Sequence, residues 1–437
     1  MKLRVGSTRR HLVRDDGSPF FYLADTAWEL VHRLNREEAI EYLDARAAQG
    51  FTAIQMVALA ELDGLRDPNP YGHRPLVADD PAKPNDAYFD HVEWVVARAA
   101  ERGLVSAVLP TWGDKVYAKW FWQTPTAPPP LFTEATAGVY CRYLARRLGK
   151  YPVIWVLGGD RPVETEEHRR VWRAMAAGLK SESPHLVTYH PTGQHSSSMY
   201  FHNEPWLDFN MIQSGHVMRD LPTEAMVMAD LALLPAKPTI ESEVNYEDHP
   251  VWWKPETHGW FDDFDVRKSA YRAVFSGSAG YTYGCANVWQ MYAPPRAAIA
   301  WARHTWRESL AFPGCNQMRH LRALIEAVPW TQMRPSPAHT LWYHELARGE
   351  RAAAMATPDN SHILLYVPRG HGLEFPSVTT NGYLKYAWRT MDCRSGAFSP
   401  WAALTQAGVS FPSEQPTHDF VLELKGETSK EFIKQWK

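Results

Sequence analysis

Residues 153–162 read VIWVLGGDRP, and the fold turns on how that stretch is understood. Five apolar residues, Val153 to Leu157, run without interruption into Gly158, Gly159 and the carboxylate of Asp160. A continuous apolar run suits a strand covered on both faces, as in a parallel sheet flanked by helices. Two glycines at its end remove side chains where another backbone or a ligand must come close. Asp160 is then presented at the rim of whatever lies beyond the strand. Taken alone, the residue has a plain alternative: it starts a turn or pairs with Arg161.

Outward from this stretch the same unit recurs. FFYLADTAW (20–28), FTAIQMVAL (51–59) and LVSAVLPTW (104–112) precede it. LVTYHPTG (186–193), FNMIQSGH (209–216), PTIESEVNYE (238–247) and GYTYGCANVW (280–289) follow it. Helical patterns separate these runs. In the first, Asn35 is the cap, Glu38 stands at the capping-box position, Ile40, Leu43 and Ala47 share a face, and Gly50 ends the helix. Asp86 and Thr133 are the expected caps of the next two. Further helices are expected near 164–182, 221–235, 263–277 and 294–311, with only a short piece between the fifth and sixth strands. Alternating strand–helix units, eight in all over about 310 residues, predict a closed (β/α)8 TIM barrel of the α/β class. A doubly wound open sheet would carry a glycine-rich phosphate loop after its first strand, and LADTAWEL is not one.

Past residue 335 the character changes. HTLWYHE, RAAAMAT, SHILLYVP, GLEFPSV, LKYAWRTM and HDFVLELK are short β-like segments, and DCRSGAF reads as a hairpin turn. The expected division is a catalytic barrel over 1–335 and a small C-terminal antiparallel β-sandwich over 336–437, packed against it.

Composition sets the outer limits. The chain has 437 residues, 45% hydrophobic and 22% charged, as expected of an ordinary globular protein. A net charge of -3 gives no footprint for nucleic acid or an anionic membrane, and no stretch has the apolar length of a membrane span. Cys141, Cys285, Cys315 and Cys393 lie far apart with no CxxC, which fits reduced thiols in a cytoplasmic setting. The N-terminus shows no apolar signal-peptide core. Oligomeric state is not legible. Of the 19 tryptophans much must be core, but indole rings in polar surroundings also suit the apolar faces of sugars.

In a barrel, chemistry gathers where strands end. Those ends carry Asp25, Trp28, Gln55, Trp112, Asp160, Arg161, His190, Gln213, His216, Glu243, Glu247, Tyr283 and Trp289. Aromatic rings, carboxylates and hydrogen-bonding amides together suit a carbohydrate substrate. In the seventh strand Glu241 and Glu243 stand two apart, hence on one face of a regular strand. Glu241, deeper, reads as structural; Glu243, nearer the end, as reactive; Glu247 as a substrate contact or supporting acid. A carboxylate after strand four and another on strand seven meet the needs of glycoside hydrolysis: one acid for the leaving oxygen, one carboxylate to attack or to activate water. A metallohydrolase is the competing reading. Strand one ends without an HxH and no HExxH occurs, so neither metal nor cofactor is expected, and His190 and His216 are assigned to hydrogen bonding. His195 and His202 are expected on a loop surface.

The segments PFFYLADTAWEL, GFTAIQMV, VLPTWGDKV, VIWVLGGDRP and KPTIESEVNYED, in order over about residues 10 to 330, resemble the apiosidase-like glycoside hydrolase family. The trailing segment resembles a small β-sandwich often fused behind that barrel and named for collagen binding. The resemblance implies a retaining mechanism, with Asp160 of the Gly-Gly-Asp motif as acid/base and Glu243 as nucleophile. It implies release of apiose, a branched pentose, from pectic side chains or small apiosides. Several members carry Asp-Gly-Glu-Pro where this chain has Glu241-Ser242-Glu243-Val244. Retention calls for carboxyl groups about 5–5.5 Å apart. Still open are the same chemistry on a galactoside, arabinoside or glucuronide, and a sugar-binding barrel without turnover.

Overall fold

A computed structural model describes residues 1–117, 130–337, 350–369, 374–375, 385–404, 409–410 and 419–427. The expected strand at HTLWYHE and most of GLEFPSV lie outside the described residues.

All eight barrel strands form where the apolar runs place them: β1 (Tyr22–Thr26), β2 (Ala53–Val57), β3 (Val105–Leu109), β4 (Val153–Gly158), β5 (Val187–His190), β6 (Asn210–Gln213), β7 (Thr239–Glu243) and β8 (Gly280–Tyr283). Neighbours pair in parallel from β5 back to β1, and β1 continues through β8 and β7 to β6. Between β5 and β6 no ladder forms. The barrel is drawn together there by Asp208 N donating to Val187 O (2.9 Å) and Thr188 Oγ1 to Phe209 O (2.7 Å). A short ribbon, His195–Ser196, lies antiparallel on β6. Inside, Tyr22, Ala24, Ala53, Val57, Val105, Ala107, Ile154, Val156, Met211 and Ile240 fill the barrel. Leu3, Leu12 and Phe20, from three short N-terminal strands, join this cluster and close its floor.

The helix layer comprises α1 (Arg36–Ala48), α2 (Asp86–Glu101), α3 (Glu134–Leu148), α4 (Glu166–Glu182), α5 (Thr223–Leu231), α6 (Asp263–Phe275) and α7 (Pro313–Glu326), with shorter helical turns between. Asn35 accepts from Glu38 N at 2.9 Å and Glu38 answers at Asn35 N, completing the predicted box. Two expectations change. The cap of α2 is Asn85, whose side chain accepts from Ala87 N, because Asn85 is extended and Asp86 already helical. The stretch 294–311 forms only the turn Trp306–Ser309, and the eighth helix is α7. Adjacent prolines, Pro294 and Pro295, deny donors to a helix there, while Pro313 suits the first turn of one.

The C-terminal region is antiparallel. Strands β9 (Ala353–Ala356), β10 (His362–Val367), β11 (Lys385–Asp392) and β12 (Phe420–Glu427), with the short Arg334–Pro335 and Ala402–Ala403, make a six-stranded sheet; Glu374–Phe375 and Val409–Ser410 pair separately. DCRSGAF turns as expected, Gly396 N bonding Asp392 O at 2.8 Å. Arg334–Pro335 already pairs with β9, so the sheet starts a little ahead of residue 336. This sheet packs on α6. Tyr271 stacks on Tyr366 with centroids 4.9 Å apart, and buried Arg267 makes a two-pronged contact with Asp419, both bonds 2.7 Å.

Candidate active site

The turn after β4 explains its glycines. Gly158, Gly159 and Asp160 have φ of 90°, 118° and 48°, three left-handed residues in a row. A Cβ on Gly158 would stand 2.2 Å from His190 O, and one on Gly159 2.8 Å from both Gly113 N and the Trp112 ring. Strand β5 and the loop after β3 therefore close in on the turn, with Gly159 N bonding His190 O (3.0 Å) and Gly113 N bonding Gly159 O (3.1 Å). Asp160 tolerates the left-handed conformation better than most side chains. Its carboxyl accepts from Thr192 Oγ1 at 3.4 Å and lies 3.9 Å from Arg161 Nη1.

Strand β7 departs from the regular alternation. Ile212 pairs with Glu241 but Gln213 pairs with Glu243, so the register shifts by a residue at Ser242. Glu241 lies level with Tyr281, whose hydroxyl bonds Val266 O in α6, and so belongs to the outer, helix-covered side. Glu243, past the shift, faces the barrel mouth. The expected shared face of the two glutamates is thereby corrected; a bulge inverts the period-two rule locally.

Glu243 sits between two histidines. His216 Nε2 is hydrogen-bonded to Oε1 at 3.1 Å. His190 Nε2 is 3.0 Å from Oε2. The Nδ1–H of His190 donates to Pro191 O at 3.0 Å. Burial pushes the Glu243 carboxyl up, but His190 and His216 outweigh it and hold it well below the usual carboxylate range. Asp160 moves the other way. Burial, and then the Glu243 charge, push it up to about 6 against the pull of Arg161 and the histidines. Facing carboxyls thus differ sharply in proton affinity, the separation that acid–base division of labour requires.

Around them the rings converge. Trp28 lies 5.1 Å from Trp112 and edge-on to His190 at 5.4 Å, and Trp289 packs against the same cluster. Gln213 is level with Glu243, and its buried Oε1 has no donor. Gln55 lies within the barrel, its amide donating to Ser242 O (3.0 Å) and Thr282 Oγ1 (2.8 Å) beneath β7.

Asp25, Tyr283 and Glu247 are placed elsewhere, behind the wall. Asp25 is fully buried, bound by Arg46 Nε at 2.7 Å and Tyr42 OH at 2.5 Å, both from α1. Glu247 accepts from Tyr283 OH (2.5 Å) and from Gly314 N (3.0 Å) in the first turn of α7. It is a helix anchor at the positive end of the dipole. His202 is buried too, its Nε2 on Pro235 O at 3.1 Å. Conversely, sequence reading passed over Tyr246, His249 and Glu61. The Tyr246 ring lies 4.5 Å from His216, and Gly284 is a glycine because a Cβ there would meet that ring. Glu61, directly after the second apolar run, lies 3.3 Å from Arg161 Nη2 and is pushed up to about 7 by burial. Among the described residues no group of three or more His, Cys, Asp or Glu is arranged to hold a metal ion, and no helix is long and apolar enough to cross a membrane.

A parallel barrel of this kind, with a carboxylate after β4 and another on β7 inside an aromatic mouth, is the architecture of a glycoside hydrolase. Comparison with known proteins agrees. The chain belongs to the apiosidase-like family, whose description "Apiosidase-like, catalytic domain" matches residues 6–332. It is similar to a family 5 glycoside hydrolase from Bacteroides vulgatus, with 28% identity, 97% of this chain and 93% of that one covered, and a TM-score of 0.87. A second solved glycoside hydrolase is 28% identical, with 98% and 97% covered and a TM-score of 0.86. A family 5 mannosidase from Rhizomucor miehei shares the fold alone, at 12% identity over 75% of this chain and 98% of its own, TM-score 0.52. No curated protein matches the sequence.

Proposed function

We propose that this glycoside hydrolase is retaining, with Asp160 as acid/base and Glu243 as nucleophile, and that it releases a sugar such as apiose from a plant-derived oligosaccharide or small glycoside. The observation that carries the reading is the opposed proton affinity of the facing carboxyls, Asp160 raised to about 6 and Glu243 held low by two histidines. Asp160, carrying its proton, gives it to the glycosidic oxygen as the C–O bond breaks. Glu243, ionised, attacks the anomeric carbon. Asp160, now a carboxylate, takes a proton from water, and that water's oxygen displaces Glu243 from the sugar. Trp289, part-exposed at the mouth, supplies a ring face for the sugar with Trp28 and Trp112 packed behind it, and Arg161, Gln213, His190 and His216 are the polar groups around it. The family likeness supports apiose as the glycone. The four buried, unpaired cysteines fit a reducing compartment.

A panel of apiosides, apiose-bearing pectic oligosaccharides, galactosides, arabinosides and glucuronides tests the reading, run with wild type and Glu243→Ala. Release of one sugar by wild type alone, with its anomeric configuration retained by NMR at early times, is the expected result. Inverted product, or a crystal structure with the carboxyls more than about 6.5 Å apart, would replace the double displacement by a single one.

A further inference from the structure

We propose that Trp253, with Trp252 beside it, is a stacking subsite for a second sugar ring of the substrate, on the rim beyond His216. The proposal rests on the carbohydrate reading above and extends it to the length of ligand bound. Trp252 and Trp253 are 51% and 39% exposed, whereas Trp28 and Trp112 at the centre of the mouth are buried. Trp253 is nonetheless fixed in place. Its ring packs nearly perpendicular to His249 at 5.4 Å and to His216 at 5.8 Å, and His216 is the histidine bonded to Glu243. The two near-perpendicular contacts hold the indole in place while 39% of Trp253 stays exposed.

The backbone holds the pair outward. Both tryptophans are left-handed, φ 51° and 54°, a conformation that bulky side chains rarely adopt. Trp252 N donates to His216 O at 2.9 Å and Trp253 N to Pro250 O at 3.2 Å, so the loop is tied to the segment after β6 that carries His216. His258 stacks on Trp252 with centroids 5.8 Å apart and Lys254 Nζ stands over the same ring at 5.0 Å, so Trp252 braces the loop and Trp253 is the stacking ring. Exposed, strained and anchored aromatics beside a reactive carboxylate are what a pre-formed platform for a pyranose or furanose ring needs, since the C–H face of a sugar stacks on an indole while its hydroxyls stay in water.

The test reads binding separately from turnover. Wild type, Glu243→Gln, Trp253→Ala and Trp253→Phe are run on native gels with and without soluble pectic polysaccharide or arabinan, after melting curves confirm that each is folded. Retardation of wild type and Glu243→Gln in one of the gels, lost in Trp253→Ala and partly kept in Trp253→Phe, is the expected result. Equal retardation of Trp253→Ala and wild type, or none of wild type, would overturn the subsite. Kinetics give the second reading: Trp253→Ala should lose roughly tenfold more kcat/KM on an oligosaccharide than on a single-ring glycoside. Equal losses on both would make Trp253 a prop for His216 instead. Failure of the hydrolase reading shows differently, as no sugar release by wild type whatever the gels report.

Discussion

Glu241 and Glu243 are separated by one serine, yet Glu241 lies on the helix-covered side of the barrel and Glu243 in its mouth. The register shift between Ile212 and Gln213 opposite them is the cause. The Oε1 of Glu241 accepts from Ser214 N and Glu243 N, each at 3.3 Å, so the outer carboxyl braces the bulge that turns the inner one.

Glu241 should make stability depend on pH. Burial pushes it up to about 8 from an ordinary 4.5. Between those values the folded protein holds a proton that the unfolded chain has lost, so stability falls as pH rises from 4.5 toward 8 and levels off beyond. Glu241→Gln, neutral at every pH, should flatten this part of the curve. Melting temperatures across pH 5–9 check it; an unchanged slope would mean Glu241 is ionised in the fold.

Asp160 should set the alkaline limb of activity. In the proposed role of proton donor, Asp160, raised to about 6, loses its proton above that pH, and kcat/KM should fall as pH rises through about 6. Asp160→Ala should lower kcat on a poor leaving group by about 10²–10⁴-fold and remove that limb. The loss should be smaller on an activated aryl glycoside, which needs little protonation.

His216 should set the acid limb. Removing it by His216→Phe takes away a hydrogen bond and favourable charge from Glu243 while leaving the burial, so the carboxyl's proton affinity rises. The acid limb of kcat/KM should move to higher pH. A limb that stayed put would assign it to another group.

Gly159→Ala tests the turn. With φ at 118° and a new methyl 2.8 Å from Gly113 N, the substitution should cost about 1–3 kcal/mol or more in stability and displace Asp160. Calorimetry and kcat measured together would show both losses.

Arg267→Ala tests the docking of the C-terminal sheet. It would leave Asp419 buried without its cationic partner, at a cost of about 3–5 kcal/mol. Limited proteolysis should then cut between barrel and sheet faster than in wild type. A boundary near residue 336 is our proposal for where that cut falls.

Strand β4, the glycine pair and the aspartate were legible in sequence because each follows from a local rule. Apolar runs covered on both faces have a signature, as do capping boxes such as Asn35 with Glu38. Asp25, Tyr283 and Glu247 were misplaced for one shared reason. A residue near a strand's end can face the mouth or the helix layer, and the choice depends on registers that neighbouring strands impose. Asp25 turned toward Arg46 and Tyr42, and Glu247 toward the first turn of α7. Tyr246 and His249 went unnoticed because they meet His216 only once the chain after β7 folds back over the mouth.

By itself, then, the sequence determined the number and order of the βα units, the antiparallel character of the tail, and which two carboxylates end strands four and seven. These depend on periodicity and on residues close along the chain. Only the tertiary structure decided which carboxylates meet and how they share protons. The shift at Ser242 turns Glu243 inward, and His190 and His216, from two other strands or their ends, hold it ionised. Proton affinity responds to burial and charge within a few ångströms, and those neighbours are distant in sequence until the barrel closes.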